Sequence, residues 1–259
     1  FQLFSMMAYG FDNKARIQID EKEIEHGDRK VLYWDNMLSN LRVFIKPPSQ
    51  PKSAIREQGF HYTRLPKLKN KNDDVKMMGY FQSYKYFQHQ FDTIMKFTKF
   101  GEKKEQFADN YCYEYTISLH FRVGDYKKLQ DCHPLLPAKY YIDALKHIEQ
   151  ASGRQNWQVL YFCEDEDIEY VDRMIVQFQE VMPVLSFIKI ESSYSDWQQM
   201  LIMSLCRHNI IANSSFSWWG AYLNTQDNMV CYPSTWFGPK LGKKKMDDLF
   251  PPTWKKIEI

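Results

Sequence analysis

A histidine, an arginine and an aspartate stand close together near the middle of the chain, in the segment HFRVGD at positions 120–125. His120 and Arg122 are two residues apart, so an extended strand would place them on the same face. Gly124 allows a sharp turn directly afterwards. A guanidinium fixed at a strand end offers a planar fork to phosphate oxygens. An ion pair between Arg122 and Asp125 that only holds the turn explains the same spacing equally well.

Hydroxyl side chains cluster in a second segment, NSSFSWWG, which covers positions 213–220 and follows an apolar run. Serine hydroxyls and backbone N–H groups at the start of a helix form a site for anions. Here the hydroxyls belong to Ser214, Ser215 and Ser217. Since Ser and Asn are also the usual N-cap residues, an ordinary helix cap is the alternative interpretation.

Four consecutive acids at positions 164–167 form a third polar segment. Asp165 and Asp167 make a D-x-D pattern, and such carboxylates are suitable ligands for a hard divalent cation. Acidic residues also favour the first turn of a helix through the helix dipole. The helix-start interpretation is the better supported of the two.

The elements that must position these segments alternate regularly in the second half of the chain. Runs of β-branched and aromatic residues predict strands, and apolar residues at helical spacing predict the helices between them. The predicted strands are 113–121, 157–162, 185–190, 209–212 and 229–232, and the predicted helices are 138–150, 166–178, 197–205 and about 217–223. This order predicts a parallel sheet with helices on both faces, a Rossmann-like unit. Ligands of such sheets bind beyond the carboxyl ends of the strands, where the three polar segments fall.

The first hundred residues are less regular. They predict a helix at 2–9, a strand at 31–34, an apolar stretch at 41–48, a long polar loop at 50–74 and a helical region ending near Phe100. A charged stretch at 101–110 separates the two halves. We therefore expect two domains, 1–105 and 106–259.

Composition narrows the function classes. The net charge of +2 is not the clustered basic excess typical of nucleic-acid binding, so no nucleic-acid partner is expected. The five cysteines show no CxxC spacing, which favours a reducing compartment and predicts no zinc site. No apolar run is long enough to span a bilayer and no secretory signal is recognisable, so the expectation is a cytoplasmic protein. Because the first residue is Phe1, the sequence is also readable as a domain of a longer protein.

Three motifs together resemble the α-1,2-fucosyltransferase family. The family pattern H-x-R-R-G-D-Y is matched at positions 120–126 (HFRVGDY) except at Val123. NSSFSWWGAYL at 213–223 and GYFQSYKYF at 79–87 match two further family segments. The resemblance runs in the same order from Phe1 to about Pro233. Of the three, the NSSFSWWG segment is the most specific, because HxRxGD is shared with other fucosyltransferases.

The resemblance implies a glycosyltransferase B-type fold, in which two Rossmann-like domains face a cleft. It also implies GDP-fucose as donor, a glycan acceptor, inversion at the fucose carbon, and neither metal nor cofactor. Arg122 would hold the β-phosphate, His120 would contact the guanine side, and Asp125 is the candidate general base. The remaining donor-binding candidates are Gly124, Asp165, Asp196, Asn213, Ser214, Ser215, Phe216 and Ser217. On the acceptor side, Gln82 and Lys85 are candidates for sugar hydrogen bonds, and Tyr80 and Phe81 are expected in the core.

Two departures from the family pattern leave alternatives open. Val123 replaces a second arginine, and the G-x-G-N-Q loop that precedes the residues matching Phe1 and Gln2 is missing. The chain is then either trimmed or an impaired, nucleotide-sugar-binding protein. A fucosyltransferase of α-1,6 or α-1,3 linkage is a second alternative, and a metal-dependent glycosyltransferase that uses the D-x-D is a third.

Overall fold

The computed structural model describes residues 1–25, 33–70 and 73–259, and these residues form two compact units. The first unit comprises Phe1–Lys103 with Lys244–Pro251, and the second comprises Lys104–Lys243 with Pro252–Ile259. The chain therefore changes unit close to the charged stretch at 101–110. It also returns to the first unit over Lys244–Pro251, residues that the expected ranges 1–105 and 106–259 assign to the second domain.

The first unit consists of short elements. In chain order they are α1 (Gln2–Asp12), β1 (Ile19–Asp20), α2 (Glu21–Glu25), β2 (Ile45–Lys46), β3 (Ser53–Arg56), β4 (Val75–Met78), α3 (Phe91–Thr98) and α4 (Phe100–Glu105). Its strands pair as β1 with β2 and β3 with β4, both parallel, so its described part has no sheet wider than two strands. The expected Rossmann-like sheet is absent from that part of the unit.

The second unit carries the predicted alternation. Its elements are β5 (Thr116–His120), α5 (Ala138–Ser152), β6 (Gln158–Phe162), α6 (Ile168–Val181), β7 (Ser186–Lys189), α7 (Asp196–Met203), β8 (His208–Ile210), α8 (Ser215–Tyr222), β9 (Val230–Pro233) and β10 (Lys255–Ile257). The strands form one parallel sheet of six in the order β10-β9-β8-β5-β6-β7. The order reverses at β5, whose neighbours are β6 and β8. A crevice at such a switch point is where open α/β sheets bind ligands.

Alternate residues of β5 face opposite sides of the sheet, as its pleat requires. Ile117 and Leu119 belong to the apolar core that α5 and α6 cover. On the other side, Ser118 accepts a 2.6 Å hydrogen bond from Asn209, which also donates to the carbonyl of Met203 in α7 over 2.8 Å. Helices therefore lie on both faces, and His120 at the strand end shares a face with Ser118.

Several predicted elements need correction. Residues 113–115 form a 3-10 turn rather than the start of a strand, and the predicted loop at 50–74 contains β3, which pairs with β4. The strand predicted at 31–34 falls partly outside the described residues, and its described end lies in a 3-10 turn over Tyr33–Asp35. Strand β10 was not predicted. No helix in the described ranges is long and apolar enough to cross a membrane.

Candidate functional site

A cleft of about 660 Å³ opens at the carboxyl edge of the second unit's sheet. It lies beside the ends of β5 and β6 and the start of α8, at the switch point of the strand order. Its walls are His120, Phe121, Arg122, Tyr126, Cys163, Glu164, Asp165, Glu166, Ser192, Asp196, Gln199, Ser214, Ser215 and Phe216. The fold thus brings the three polar segments of the sequence to one place.

His120 is a buried polar residue of the cleft wall, 8% exposed, as is Ser214. Its ring lies 5.4 Å from the ring of Phe216, and its buried Nδ1 has no hydrogen-bond partner. Burial, reinforced by the charge of Arg122, lowers the pKa of His120 to about 3. The imidazole is therefore neutral at physiological pH, and its unpartnered nitrogen is free to hydrogen-bond with a ligand.

Arg122 follows β5 and is held from three sides. Its Nη1 donates to Oε1 of Glu164 over 2.6 Å, and its Nη2 donates to Oδ1 of Asp125. The guanidinium also lies over the ring of Tyr126, 4.9 Å from the ring centroid. The ion pair with Asp125, one of the two interpretations of the spacing, is present, and a second carboxylate shares the same arginine.

The turn after β5 is tied to the acidic segment. The backbone N–H of Gly124 donates to Asp167 over 2.6 Å, and Lys127 donates to the other oxygen of that buried carboxylate over 2.7 Å. Gly124 has a φ of +27°, which side-chain-bearing residues rarely adopt. This geometry fixes the direction in which Arg122 leaves the strand.

Both carboxylates of the D-x-D have partners within the protein. Asp167 binds the Gly124 turn, and Asp165 accepts hydrogen bonds of 2.7 Å from Lys189 and from Ser192. Among the described residues no group of three or more His, Cys, Asp and Glu side chains is arranged to hold a metal ion. The absence of a metal requirement remains a prediction.

The NSSFSWWG segment supplies the third wall. Ser214 is the N-cap of α8 and accepts a 3.3 Å bond from the N–H of Phe216, so the capping interpretation holds. Ser214, Ser215 and Phe216 line the cleft, whereas Ser217 is buried and its hydroxyl contacts the backbone of Ala212. Asn213 is also buried and donates to the carbonyl of Pro134 over 3.0 Å. Ser217 and Asn213 thus lie behind the cleft wall.

Asp196 reaches the cleft from α7. The helix begins with a capping box, in which the N–H of Ser195 donates to Gln198 over 2.9 Å. Oδ1 of Asp196 accepts a 2.7 Å bond from the N–H of Trp197. Asp196 lines the cleft, as does Asp165. Both residues were predicted as donor-binding candidates.

The two acceptor-side candidates lie in the first unit. Gln82 is half-buried, and Lys85 forms an ion pair with Asp248, which also accepts a 3.1 Å bond from the N–H of Tyr62. This contact raises the pKa of Lys85. Phe81 is buried as expected, but Tyr80 is 69% exposed, so its predicted place in the core is wrong. A φ of +51° at Phe81 turns the chain so that adjacent rings point to core and solvent.

Glu164 and Tyr126 contact Arg122 directly but were not among the candidate residues. Tyr126 is the last residue of the matched motif HFRVGDY, so the sequence could have indicated that it lies at the site. Glu164 stood in the sequence only as part of an acidic helix start, 42 positions from Arg122. Only the pairing of β5 with β6 brings the two together.

A parallel α/β sheet with helices on both faces and a cleft at its switch point defines the class of doubly wound α/β proteins. Within that class, the chain belongs to glycosyl transferase family 11, whose model matches residues 53–258. This membership confirms the predicted resemblance to the α-1,2-fucosyltransferase family.

Two relatives from Escherichia coli match parts of the chain. The O-antigen biosynthesis glycosyltransferase WbnK is 38% identical over 137 residues, which is 51% of this chain and 43% of WbnK. An α-1,2-colitosyltransferase is 26% identical over 217 residues, which is 80% of this chain and 72% of that protein. The match with WbnK thus spans less than half of that relative's length.

Among solved structures, a family 9 glycosyl transferase from Veillonella parvula aligns with 62% of this chain and 40% of its own. The identity is 13% and the TM-score is 0.36.

Proposed function

We propose that this chain transfers L-fucose, or the related sugar colitose, from a GDP conjugate to a glycan hydroxyl. The linkage would be α-1,2, formed with inversion and without a metal. The observation that carries the proposal is that one cleft is lined by both Arg122, with its planar guanidinium, and His120, whose Nδ1 has no hydrogen-bond partner. Family membership supports the glycosyl transfer, and the relative named for colitose supports the linkage.

Arg122 is the proposed contact of the donor's β-phosphate. Cleavage of the sugar–phosphate bond places negative charge on the departing diphosphate, and a fixed cation stabilises that charge as it develops. The fork geometry allows two N–H groups to bind phosphate oxygens together. A guanidinium already held by Asp125 and by the Tyr126 ring needs little rearrangement for this task.

His120 is proposed to recognise the base rather than a phosphate. A pKa of about 3 keeps the ring uncharged, so it offers hydrogen bonds but no charge to an anion. Phe216 is half-buried beside it and gives a planar apolar surface suited to stacking. Together they fit a nucleobase at the end of the cleft nearest α8.

An inverting transfer is a single displacement, so it needs no covalent nucleophile, and a general base assists the acceptor hydroxyl. Asp125 is our proposed base: it does not line the cleft itself, but it contacts Arg122, which does. Asp125 also forms an ion pair with Arg122, which is the structural role that the sequence spacing allowed as an alternative.

The acceptor is proposed to be a glycan of a surface polysaccharide, because WbnK is named for O-antigen biosynthesis. Since Lys85 is engaged by Asp248, Gln82 is the better candidate for an acceptor contact.

Calorimetry with GDP, GDP-fucose, UDP-galactose and UDP-N-acetylglucosamine, each with and without EDTA, tests the proposal. We expect GDP and GDP-fucose to bind and EDTA to change neither affinity. A preference for a UDP-sugar, or a need for a divalent cation, would overturn it. GDP binding without fucose transfer to any glycan tested would support the impaired binding protein, and the linkage in a product would decide between α-1,2 and other fucosyl transfer.

A further inference from the structure

Carboxylates outnumber cations in the cleft proposed to hold a diphosphate. Arg122 is the only lysine or arginine among the described lining residues, and His120 is neutral. The acidic lining residues are Glu164, Asp165, Glu166 and Asp196. An anionic ligand can therefore bind in this cleft only if the guanidinium of Arg122 is available to it.

That charge is occupied in the ligand-free protein. Glu164 binds Nη1 of Arg122 over 2.6 Å, and Asp125 binds Nη2, so each end of the fork already has an acidic acceptor. A phosphate oxygen that uses the fork competes with one of these carboxylates for the same N–H groups. Asp165 is not a competitor, because Lys189 and Ser192 hold it.

Glu164 differs from Asp125 in where it sits. Asp125 lies in the same turn as Arg122, three residues on, and does not line the cleft. Glu164 comes from the end of β6 and lines the cleft. Its side chain is 56% exposed, close to the 58% of Asp125, so both can move and only Glu164 lies where a ligand in the cleft would meet it. Its carboxylate lies 2.9 Å from where a Cβ of Gly124 would stand, so the missing side chain of Gly124 leaves room for it.

We propose that the carboxylate of Glu164 binds the guanidinium of Arg122 when no donor is bound, and that the donor's β-phosphate displaces this carboxylate. Glu164 is then a positioning residue that sets the affinity for the β-phosphate, and it acts only through Arg122. This proposal rests on the proposed function, because it takes a nucleoside diphosphate as the ligand.

The test compares Glu164→Gln with wild-type protein by calorimetry, using GDP and GMP as ligands. Glutamine keeps the shape of the side chain but removes its charge, so GDP should bind roughly five- to tenfold more tightly. GMP lacks the β-phosphate, and its affinity should change less than about twofold because it leaves Glu164 in place. Unchanged melting temperatures of the ligand-free proteins would show that the fold is preserved.

Glu166→Gln is the matched control, because Glu166 lines the same cleft and loses the same charge. Glu166→Gln changes the GDP affinity only through a longer-range electrostatic interaction. This change in affinity should vanish at about 1 M salt, where the Debye length is about 3 Å. The effect of Glu164→Gln should persist there, because it removes a contact of 2.6 Å. GDP affinity that is unchanged or weaker in Glu164→Gln, or gains that both variants share at every salt concentration, would overturn the role of Glu164. If wild-type protein and both variants bind no GDP, the proposed function fails with it.

Discussion

Arg122 is positioned before any ligand arrives. Two carboxylates and the ring of Tyr126 surround its guanidinium, and the Gly124 turn that follows it is bound to the buried Asp167. Preorganisation of this kind lowers the cost of ordering a side chain on binding. The same two carboxylates neutralise the charge of the guanidinium. The contacts that orient Arg122 therefore also make it less available to a phosphate.

We predict that Arg122→Lys lowers turnover of GDP-fucose at least about 100-fold, because an ammonium keeps the charge but loses the fork. Steady-state kinetics with a competent acceptor would measure it, and the melting temperature should change little. The matched control is Arg42→Lys, since Arg42 pairs with Asp35 on the surface of the first unit. Near wild-type turnover in a folded Arg122→Lys protein would contradict the assignment of Arg122.

Spacing along the chain located some of the cleft residues but not their partners. His120 and Arg122 were predicted from the pattern of one strand end, and Ser214 from the composition of one helix start. Glu164 needed the pairing of β5 with β6, which depends on long-range contacts that a local pattern does not encode. The exposure of Tyr80 depends on a positive φ at Phe81, a conformation that nothing in the residue type indicates.

At the scale of elements, the cleft depends on how closely α8 packs against α7. Gly220 in α8 is buried, and a Cβ there would meet the Sδ of Met203 at 2.9 Å and its Cβ at 3.0 Å. Glycine thus permits a close approach of the two helices, one of which begins at the cleft and the other of which ends at Met203. Seating α8 in this way holds Ser214 and Phe216 at the switch point.

We predict that Gly220→Ala destabilises the protein by about 1–3 kcal/mol, because overpacking outweighs the gain in helix propensity. Gly101→Ala is the matched control: Gly101 lies in α4 with no atom within 4 Å of the added Cβ. That change should stabilise its helix by at most about 0.5–1 kcal/mol, the value for a helix interior, because Gly101 lies in the first turn. Urea unfolding followed by circular dichroism measures both. Equal effects of the two substitutions would contradict the packing argument.

Regular elements were predicted well where local pattern and tertiary context agree. Strands β5 to β9 and helices α5 to α8 were all expected, with ends that differ by a few residues. Strand β10 was missed because two of its three residues are exposed lysines, and β3 because three of its four residues are exposed. Such strands exist through pairing with a neighbour, here β9 and β4, rather than through burial of an apolar face.

At the scale of the whole molecule, the family match extends over both units, since residues 53–258 include part of Phe1–Lys103 and most of the second unit. The proposed donor chemistry lies in the second unit alone. That unit also buries two histidines in neutral form, His120 and His208. Burial lowers their pKa values to about 3 and about 4. His208 packs 4.9 Å from the ring of Trp157, and its Nδ1 accepts a 3.1 Å bond from the N–H of Met229.

These histidines couple stability to pH. In the unfolded chain each takes up a proton near pH 6.5, whereas in the folded protein each stays neutral until about pH 3 or 4. Since the unfolded state binds more protons in this interval, stability falls as the pH falls below about 6.5. Each histidine contributes a slope of about 1.4 kcal/mol per pH unit, and above that range its contribution is constant.

We therefore predict that His208→Gln and His120→Gln each reduce the slope of unfolding free energy against pH, between about pH 6 and 4.5, by about 1.4 kcal/mol per unit. Urea unfolding at closely spaced pH values gives the slope, which is independent of any constant loss from disturbed packing. The double variant should lose both contributions, because His120 lies at the cleft and His208 packs against Trp157 and Met229. A slope that neither substitution changes would mean that both histidines take up protons in the folded protein, and His120 would then enter the cleft as a cation beside Arg122.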